Sequence, residues 1–312
     1  MHMTSITPVY LMSPPGPEWT VRARSNVFSQ AAGTSETPLA PQARADWLMV
    51  AHAIERAGGR VLVAPPPPHL NLTGMPYTAE AGIFFRDEKG APGFLLPNMK
   101  PAHRHAEATY LAGYVSALGW RARKVNATWE GQGDVLRVDL ERMVHTWGEG
   151  PYARTSREAY AEVAHLISRR HIQVGFKADP WFHGNTFLGF YASAKGERRW
   201  MLVCPAALQD GELARLRAFV PEAEVLELQH DESVAYATNA LQVNGTVIAP
   251  TGLPARVHEV WRSLGLEIVE LPLQALFRQG GGAAVCLTDR LDGFDASQIP
   301  AHLTLSAWEA QS

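Results

Sequence analysis

Hydrophobic residues along the chain follow two spacings, one typical of amphipathic helices and the other of short strands. Stretches with apolar residues three or four positions apart, several of them ending at a glycine, precede short runs rich in β-branched residues. The predicted helices cover 41–57, 106–118, 156–170, 211–219 and 256–264, and the strands after them cover 60–64, 120–125, 172–176, 225–228 and 266–271. This alternation indicates an α/β architecture rather than a helical bundle or a β-sandwich.

The helix-strand unit occurs five times in 312 residues, which predicts a propeller-like ring of ββαβ modules. No linker divides the chain, so we expect one domain over 1–312. Loops at one end of the central strands of such a ring face a common pocket. Asp134, His183, Asn239 and Cys286 each follow or end a predicted strand of a different module. We therefore expect these four side chains to converge on one small site.

Charge and cysteine content exclude several classes of protein. The formal net charge is -3, the sequence pI is near 6.5, and no sustained run of Lys and Arg occurs, so neither nucleic acid nor an anionic membrane is an expected partner. The two cysteines are too few for a disulfide framework and suit a reducing compartment. No signal-like start and no stretch of eighteen apolar residues is present. These features predict a soluble cytoplasmic protein.

The most informative stretch covers 280–288, where three consecutive glycines precede Cys286. Three glycines belong where the backbone takes unusual dihedral angles or approaches another group closely. One interpretation is a flexible hairpin that ends at a small buried hydrophobic residue, because a free cysteine is usually buried and inert. The other interpretation is that Cys286 is a reactive thiol. This interpretation gains support from a histidine segment, 181–186, and an acidic segment, 130–134, which supply a base and a charged anchor.

His183 and Asp134 each have an ordinary structural interpretation as well. A thiol with a pKa of about 8.5 needs a nearby positive charge to react near neutral pH, and either His183 or a cationic substrate would supply it. The alternative for His183 is a structural histidine that donates to a backbone carbonyl. Asp134 is placed to hold a planar guanidinium through charge-assisted hydrogen bonds, with Gly131 and Gly133 allowing close approach, but a solvated acidic turn has the same composition.

Eight landmarks over most of the chain resemble, in order, the guanidino-group modifying enzymes. This superfamily contains arginine deiminases, dimethylarginine dimethylaminohydrolases, arginine dihydrolases and amidinotransferases, and it has the pentein fold. The landmarks are 11–14 with Asn26, 77–82, 104–107, 130–134, 154–155, 182–186, 239–241 and 280–288. The resemblance implies a five-bladed α/β propeller whose catalytic domain needs no cofactor.

The resemblance also implies a covalent mechanism and a set of site residues. Cys286 would attack the central carbon of a guanidinium, His183 would act as general acid and then as general base, and Asp134 would bind guanidinium nitrogens. Arg104 and Arg154 match positions that in relatives bind the substrate's carboxylate or support the pocket. Either arginine could instead lie at the surface, paired with Glu107 or Glu158. The further positions predicted to bind substrate are Glu80, Asn185, Asn26, Glu130 and Asn239.

Three departures from the family pattern bear on the substrate. Arginine-handling members resembling this chain have Asn where it has Glu80, and Asp where it has Asn185. The amide of the family pattern is replaced by an acid at Glu80, and the acid is replaced by an amide at Asn185. This exchange predicts that the substrate is a guanidine or amidine other than plain arginine. Val285 stands where agmatine-type relatives commonly have histidine, which argues mildly against agmatine.

Hydrolysis of a C–N bond in a small cationic guanidine or amidine is the function that these features favour first. Amidino transfer between amines is second, because it differs only in the nucleophile that reaches the intermediate. A catalytically silent binding protein is the third, although Cys286, His183 and Asp134 argue against it. A metal hydrolase has little support because no His-Glu-x-x-His motif occurs. Relatives are often dimeric, so the resemblance also allows a homodimer.

Overall fold

The computed structural model describes residues 7–21, 39–167 and 170–311. The strands in these ranges, named β1 to β15 in chain order, are Val9–Met12, Arg60–Val63, Ile83–Arg86, Pro92–Leu96, Arg121–Lys124, Val135–Arg137, Arg142–Glu149, Arg170–Lys177, Leu188–Ala192, Arg199–Val203, Glu224–Glu227, Leu241–Val243, Thr246–Pro250, Glu267–Leu271 and Asp289–Arg290. The helices in the same ranges, α1 to α7, are Ala40–Arg56, His105–Ala117, Ala159–Ile167, Glu212–Phe219, His230–Val234, Ala255–Ser263 and Leu305–Glu309.

The described strands form five separate three-stranded sheets. Four of the sheets use consecutive strands, β3 to β5, β6 to β8, β9 to β11 and β12 to β14. In each of them the first two strands are antiparallel, a helix follows, and the third strand lies parallel to the second. The crossover helices are α2, α3, α4 and α6. This is the predicted ββαβ module, and the predicted α/β fold class with repeated modules is confirmed.

The fifth sheet is built from both ends of the chain. Strand β15 pairs antiparallel with β1, so that Tyr10 lies opposite Arg290 and Leu11 opposite Asp289. Strand β2 then pairs parallel with β1 after the crossover helix α1. The first strand of this module therefore comes from the C-terminal part of the chain and the other two from the N-terminal part.

Helix α1 shows why the local sequence signals were informative. Pro41 lies in the first turn, where its missing N–H has no partner to lose, and Gly58 after the helix has φ +82. Ala43, Trp47 and Ile54 face the core at helical spacing. The helix matches the predicted element within one residue at each end. No described helix combines the length and the apolar content needed to span a bilayer.

The prediction of the third helix is wrong at both ends. The sequence predicts a helix over 156–170 that is capped by Ser156, whereas α3 begins at Ala159. The N–H of Ser156 instead donates to the carbonyl of Thr128 at 2.9 Å, which ties this residue to a neighbouring loop. Arg170 already pairs with Arg142 in the β7–β8 ladder. Long-range strand pairing therefore begins where local propensity favoured more helix.

Adjacent modules share hydrophobic cores. Phe84 of β3, Leu62 of β2 and Val115 of α2 lie in one buried cluster. Val163 of α3 packs in another cluster with Leu95 of the preceding module's β4. Because each helix contacts residues of more than one sheet, burial of its apolar face also joins neighbouring modules.

We expect Gly82→Ala to lower the free energy of unfolding by about 2 kcal/mol. Gly82 has φ +144, and a Cβ there would overlap the carbonyl oxygen of Leu95. Gly113 is the matched control, because it lies inside α2 with open space around the position of a Cβ. Gly113→Ala should raise stability by about 0.5 to 1 kcal/mol, since glycine is a poor helix former. Urea denaturation measures both, and equal effects of the two substitutions would contradict the expectation.

Candidate active site

Seven of the nine predicted site residues in the described ranges lie in five segments, each just before the first strand of a module, and the other two are Arg104 and Arg154. Glu80 precedes β3, Glu130 and Asp134 precede β6, His183 and Asn185 precede β9, Asn239 precedes β12, and Cys286 precedes β15. Each segment also follows the third strand of the preceding module, which is why the sequence shows these residues after strands. All seven side chains are buried. Asn26 lies outside the described residues.

The glycine run before Cys286 is a close-packed turn and not a hairpin. Gly281 has φ +85, and a Cβ at Gly280 or Gly282 would overlap the ring of Tyr77. The Tyr77 hydroxyl in turn donates to the carbonyl of Leu276 at 3.1 Å. The glycines therefore bring the chain against an aromatic side chain that fixes the path into Cys286.

Asn239 holds Cys286 at two points. Its Nδ2 donates to the Cys286 Sγ at 3.2 Å, and its Oδ1 accepts from the Cys286 backbone N–H at 3.2 Å. Burial raises the pKa of the Cys286 thiol to about 11, even though the hydrogen bond from Asn239 lowers it. The thiol is consequently oriented but neutral at neutral pH.

Both ring nitrogens of His183 face carboxylates. Nε2 lies 2.9 Å from Glu130 Oε2 and 3.9 Å from Asp134 Oδ2, and Nδ1 lies 3.4 Å from Glu80 Oε1. A Cβ at Gly133 would come within 3.0 Å of the imidazole, so glycine at that position lets the acidic turn approach the ring. The carboxylates would stabilise an imidazolium, which is the form that a general acid requires.

The segment containing Glu80 also contacts the cysteine segment. The backbone N–H of Ala79 donates to the carbonyl of Cys286 at 3.1 Å, and the Thr78 hydroxyl donates to the carbonyl of Leu287 at 2.8 Å. Glu80 follows directly and reaches His183. One short segment thus connects the main chain at the thiol with the side chain of the histidine.

Glu130 is a permanently ionised anchor. Its Oε2 lies 3.2 Å from Arg154 Nη1 as well as 2.9 Å from His183, and its Oε1 accepts from the Lys100 backbone N–H at 3.0 Å. Burial on its own raises the pKa of Glu130, but Arg154, His183 and Arg104 together lower it to about 2. Glu130 therefore orients His183 and stays charged.

Asp134 lies in the same turn but has the opposite electrostatic environment. Its Oδ1 accepts from the Thr146 hydroxyl at 2.7 Å and from the Gly184 N–H at 2.9 Å. Its Oδ2 is buried and makes no hydrogen bond of ordinary geometry with the described residues. Burial raises the pKa of Asp134, and His183, Thr146 and Thr155 oppose the change, so the Thr155 side chain also acts on this carboxylate. A buried oxygen without a well-formed hydrogen bond is suited to receive an N–H of a ligand.

Asn185 is a second buried polar group that is open to a ligand. Its carbonyl accepts from the Thr238 hydroxyl at 3.0 Å and from Asn239 Nδ2 at 3.3 Å. Its side-chain amide has no hydrogen-bond partner of ordinary geometry within the described part of the chain. The amide still acts on Cys286, whose pKa it tends to lower.

Neither arginine of the site lies at the surface, since each is 5% exposed. Arg104 is paired with Glu107, as one interpretation of the sequence had it, and also with Glu80. Arg154 is paired with Glu130 and not with Glu158. Their roles toward a substrate stay predictions.

Carboxylates outnumber guanidinium groups in this buried cluster. Glu80, Glu107, Glu130 and Asp134 face Arg104 and Arg154, and His183, which contacts three of these carboxylates, is a third group that can carry a positive charge. When all of these groups are ionised, four negative charges oppose three positive ones, and buried negative charge without a partner is unfavourable. A bound cation would compensate that charge.

Sequence reasoning missed supporting residues of the site. Thr146 holds the Asp134 carboxylate, and Tyr77 packs on the glycine run. No local signal pointed to Thr146, because its contact joins separate segments of the chain. No group of three or more His, Cys, Asp or Glu in the described ranges is arranged to hold a metal ion.

Sequence comparison finds a curated relative with this family's activity. The dimethylarginine dimethylaminohydrolase of Mycobacterium tuberculosis is 25% identical over 249 residues, which cover 79% of this chain and 74% of that protein. The resemblance to the guanidino-modifying enzymes is confirmed. No protein-family model matches the chain.

Solved structures of other enzymes share the pentein fold of this chain. The N-terminal domain of ArgZ, an arginine dihydrolase from the ornithine-ammonia cycle in cyanobacteria, was solved with bound substrate. It is 20% identical to this chain with a TM-score of 0.77, and the match covers 91% of this chain and 98% of that one. A dimethylarginine dimethylaminohydrolase adduct has a TM-score of 0.62, 18% identity, and coverage of 92% and 100%. The pentein ring thus accounts for most of the chain.

We expect the Cys286 thiol of the free protein to titrate near pH 11. The thiolate absorbance of the natural protein minus that of Cys286→Ser isolates this group. Asn239→Ala removes the hydrogen bond to Sγ and should shift the titration to higher pH. A thiolate already formed at pH 7 in the free protein would contradict this assignment.

Glu130→Gln should reduce the free energy of unfolding more at pH 7 than at pH 2. The folded-state pKa of Glu130, about 2, lies below its ordinary value, so its contribution is complete above about pH 4.5 and is lost as the pH falls through 2. Asp134→Asn is the control, and its effect should have the opposite pH dependence, because burial raises the pKa of Asp134. Urea denaturation at both pH values tests the pair, and a pH-independent effect of Glu130→Gln would refute the expectation.

Proposed function

We propose that this protein is a cysteine-dependent hydrolase that cleaves a C–N bond of a guanidino or amidine compound through a covalent amidino-cysteine intermediate, with the whole chain as one catalytic domain. One observation carries the proposal. An oriented thiol, a histidine between carboxylates and a carboxylate oxygen without a well-formed hydrogen bond lie together in a buried cluster with excess negative charge.

The cluster fits a planar cation. Asp134 Oδ2 is suited to accept a guanidinium N–H, and the Asn185 amide offers a second polar contact near the thiol. In-plane hydrogen bonds would both hold the cation and direct its central carbon toward Sγ. Ionised Asp134 becomes favourable once a guanidinium neutralises it, so binding reverses the effect of burial on this carboxylate.

Binding of the substrate would also activate the nucleophile. The thiol is neutral in the free site because burial raises its pKa to about 11. A guanidinium beside Sγ stabilises the thiolate by charge, and Asn239 already donates to the sulfur. The reactive thiolate would therefore form only when a cationic substrate is present.

The chemistry then proceeds in two balanced steps. The thiol proton passes to His183 as the Sγ–C bond forms, and the resulting tetrahedral adduct expels an amine that receives this proton from His183. A water next gives a proton to His183 and attacks the amidino carbon. The C–S bond breaks, the product is a urea-type compound, and the sulfur regains a proton. Glu130 stabilises the imidazolium that forms in each step.

Properties of the relatives support this proposal. The curated relative is a dimethylarginine dimethylaminohydrolase, and one structure of the ArgZ domain contains a covalently bound reaction intermediate. The buried cluster in this chain has the thiol and histidine that such an intermediate needs. A soluble intracellular enzyme that acts on a small cationic molecule agrees with the composition.

Intact-protein mass after rapid quenching with a panel of guanidines and amidines tests the proposal. We expect an adduct that decays in water with release of an amine or ammonia. Cys286→Ser should remove the adduct and lower turnover at least about 10³-fold, and His183→Asn should produce a loss of similar size.

Cys204→Ser is the matched control, because Cys204 is equally buried but lies in a different hydrophobic cluster. It should leave both adduct and turnover unchanged. An adduct that persists in water and decays only after an amine is added would favour amidino transfer over hydrolysis. Absence of an adduct with every compound of the panel would overturn the proposal.

A further inference from the structure

Each nitrogen of the Arg104 guanidinium contacts an acceptor of the protein. Its Nη1 contacts a carboxylate oxygen of Glu80, its Nε and Nη2 both donate to Glu107 Oε2 at 2.9 and 2.7 Å, and Nη2 also donates to the carbonyl of Gly74 at 2.9 Å. All three nitrogens therefore face acceptors, and two carboxylates oppose the single charge. The side chains of Arg104 and Glu80 are 6% and 7% exposed, so solvent screens this pair weakly.

The second arginine of the site is neutralised in the same way. Arg154 lies 3.2 Å from Glu130 Oε2, and its guanidinium stands 5.6 Å from the ring centre of Phe182. Arg154 is the charged group that contributes most to the low pKa of Glu130, about 2, so this carboxylate remains ionised beside it. Neither arginine offers an uncompensated positive charge.

Most other cations near the cluster have partners. The Lys100 ammonium donates to the carbonyl of Ala153 at 2.7 Å at the protein surface. A cavity of about 480 Å³ is lined by Asn185 and Val285 and by four cationic side chains. Of these, Arg137 and Arg290 lie within 3.2 Å of Asp292, Arg199 lies 3.7 Å from Asp139 and from Glu222, and Lys195 is exposed.

We propose that the substrate is a guanidine or amidine whose tail carries no carboxylate, and that Glu80 is the residue that excludes a carboxylate. This inference rests on the hydrolase function proposed above. A substrate carboxylate would have to displace Glu80 from Arg104, share Nη1 with it, or stay unpaired among Glu80, Glu107 and Glu130. Each arrangement adds negative charge to a buried cluster in which carboxylates already outnumber the groups that can carry positive charge.

The position of Glu80 makes the exclusion specific to the pocket. One Glu80 oxygen contacts Arg104 and the other lies 3.4 Å from His183 Nδ1, so this carboxylate stands between the arginine and the candidate acid-base group. Glu107 binds the same guanidinium on the side of α2 and Gly74. Only Glu80 therefore fills the space between Arg104 and the histidine among the described partners of this arginine.

Arginine and arginine methyl ester form the matched pair of substrates, because they differ in the carboxylate charge. Butylguanidine extends the comparison to a tail without polar groups. With the natural protein, we expect kcat/KM for the ester and for butylguanidine to exceed that for arginine by at least about 100-fold, a discrimination that unpaired buried charge readily produces. Every measurement includes the Cys286→Ser control and the mass of the covalent adduct.

Glu80→Asn, alone and together with Asn185→Asp, should raise kcat/KM for arginine at least about tenfold. The difference in kcat/KM between arginine and its methyl ester should become smaller, because Glu80 no longer neutralises Arg104. Glu107→Gln is the control that removes a charge from the same guanidinium on its other side, and it should not raise arginine turnover. Thermal unfolding of each variant verifies that it is folded. The comparison of arginine with its ester uses the natural protein, so it tests the substrate preference without any variant.

The outcomes separate the two proposals. Arginine turned over as well as its ester would overturn this inference and leave the hydrolase function intact. A preference for the ester that Glu80→Asn does not reduce would overturn the assignment to Glu80. Failure of all three guanidines and of the wider panel to form an adduct on Cys286 would overturn the hydrolase function, and this inference with it.

Discussion

The antiparallel pairing of β1 with β15 is the constraint on which the arrangement of the site depends. It places the C-terminal strand that follows Cys286 in one sheet with the N-terminal strands. Four modules are local in sequence, but the fifth exists only when both ends of the chain meet. Through this pairing, and through the contact of Ala79 with the Cys286 carbonyl, the thiol comes to face residues located one hundred or more positions earlier. Substitutions that weaken this sheet would therefore act on catalysis as well as on stability.

Two carboxylates four residues apart show how one short turn produces two different chemical properties. Glu130 contacts Arg154 and His183, and their charges hold its pKa low. Asp134 accepts neutral donors, and burial raises its pKa. Divergent pKa values of neighbouring acids are typical of functional sites. In this site the carboxylate with the low pKa contacts the histidine, whereas burial disfavours the charged form of the other carboxylate.

Compensation of buried charge also relates specificity to the electrostatics of the free protein. A thiol with a high pKa, an acid with a raised pKa and an excess of carboxylates all favour the same event, which is entry of a cation. In our proposal Glu80 adds a restriction on the rest of that cation, since its carboxylate already contacts Arg104. The residues that we propose to recognise the reacting group, and the residue that we propose to exclude a carboxylate tail, thus belong to one network of ion pairs.

The sequence by itself determined the repeated module, the elements of the ring and the segments that carry the chemistry, because helical and strand periodicity, glycines and turns are local properties. It also showed that Glu80 and Asn185 depart from the family pattern. Only the tertiary structure decided which charges pair. Arg154 could contact Glu158, close along the chain, but it contacts Glu130, 24 positions earlier. The end of the third predicted helix was likewise decided by pairing of β8 with β7. Ion pairs and strand ladders depend on which segments the folded chain brings together, and composition and spacing do not contain that information.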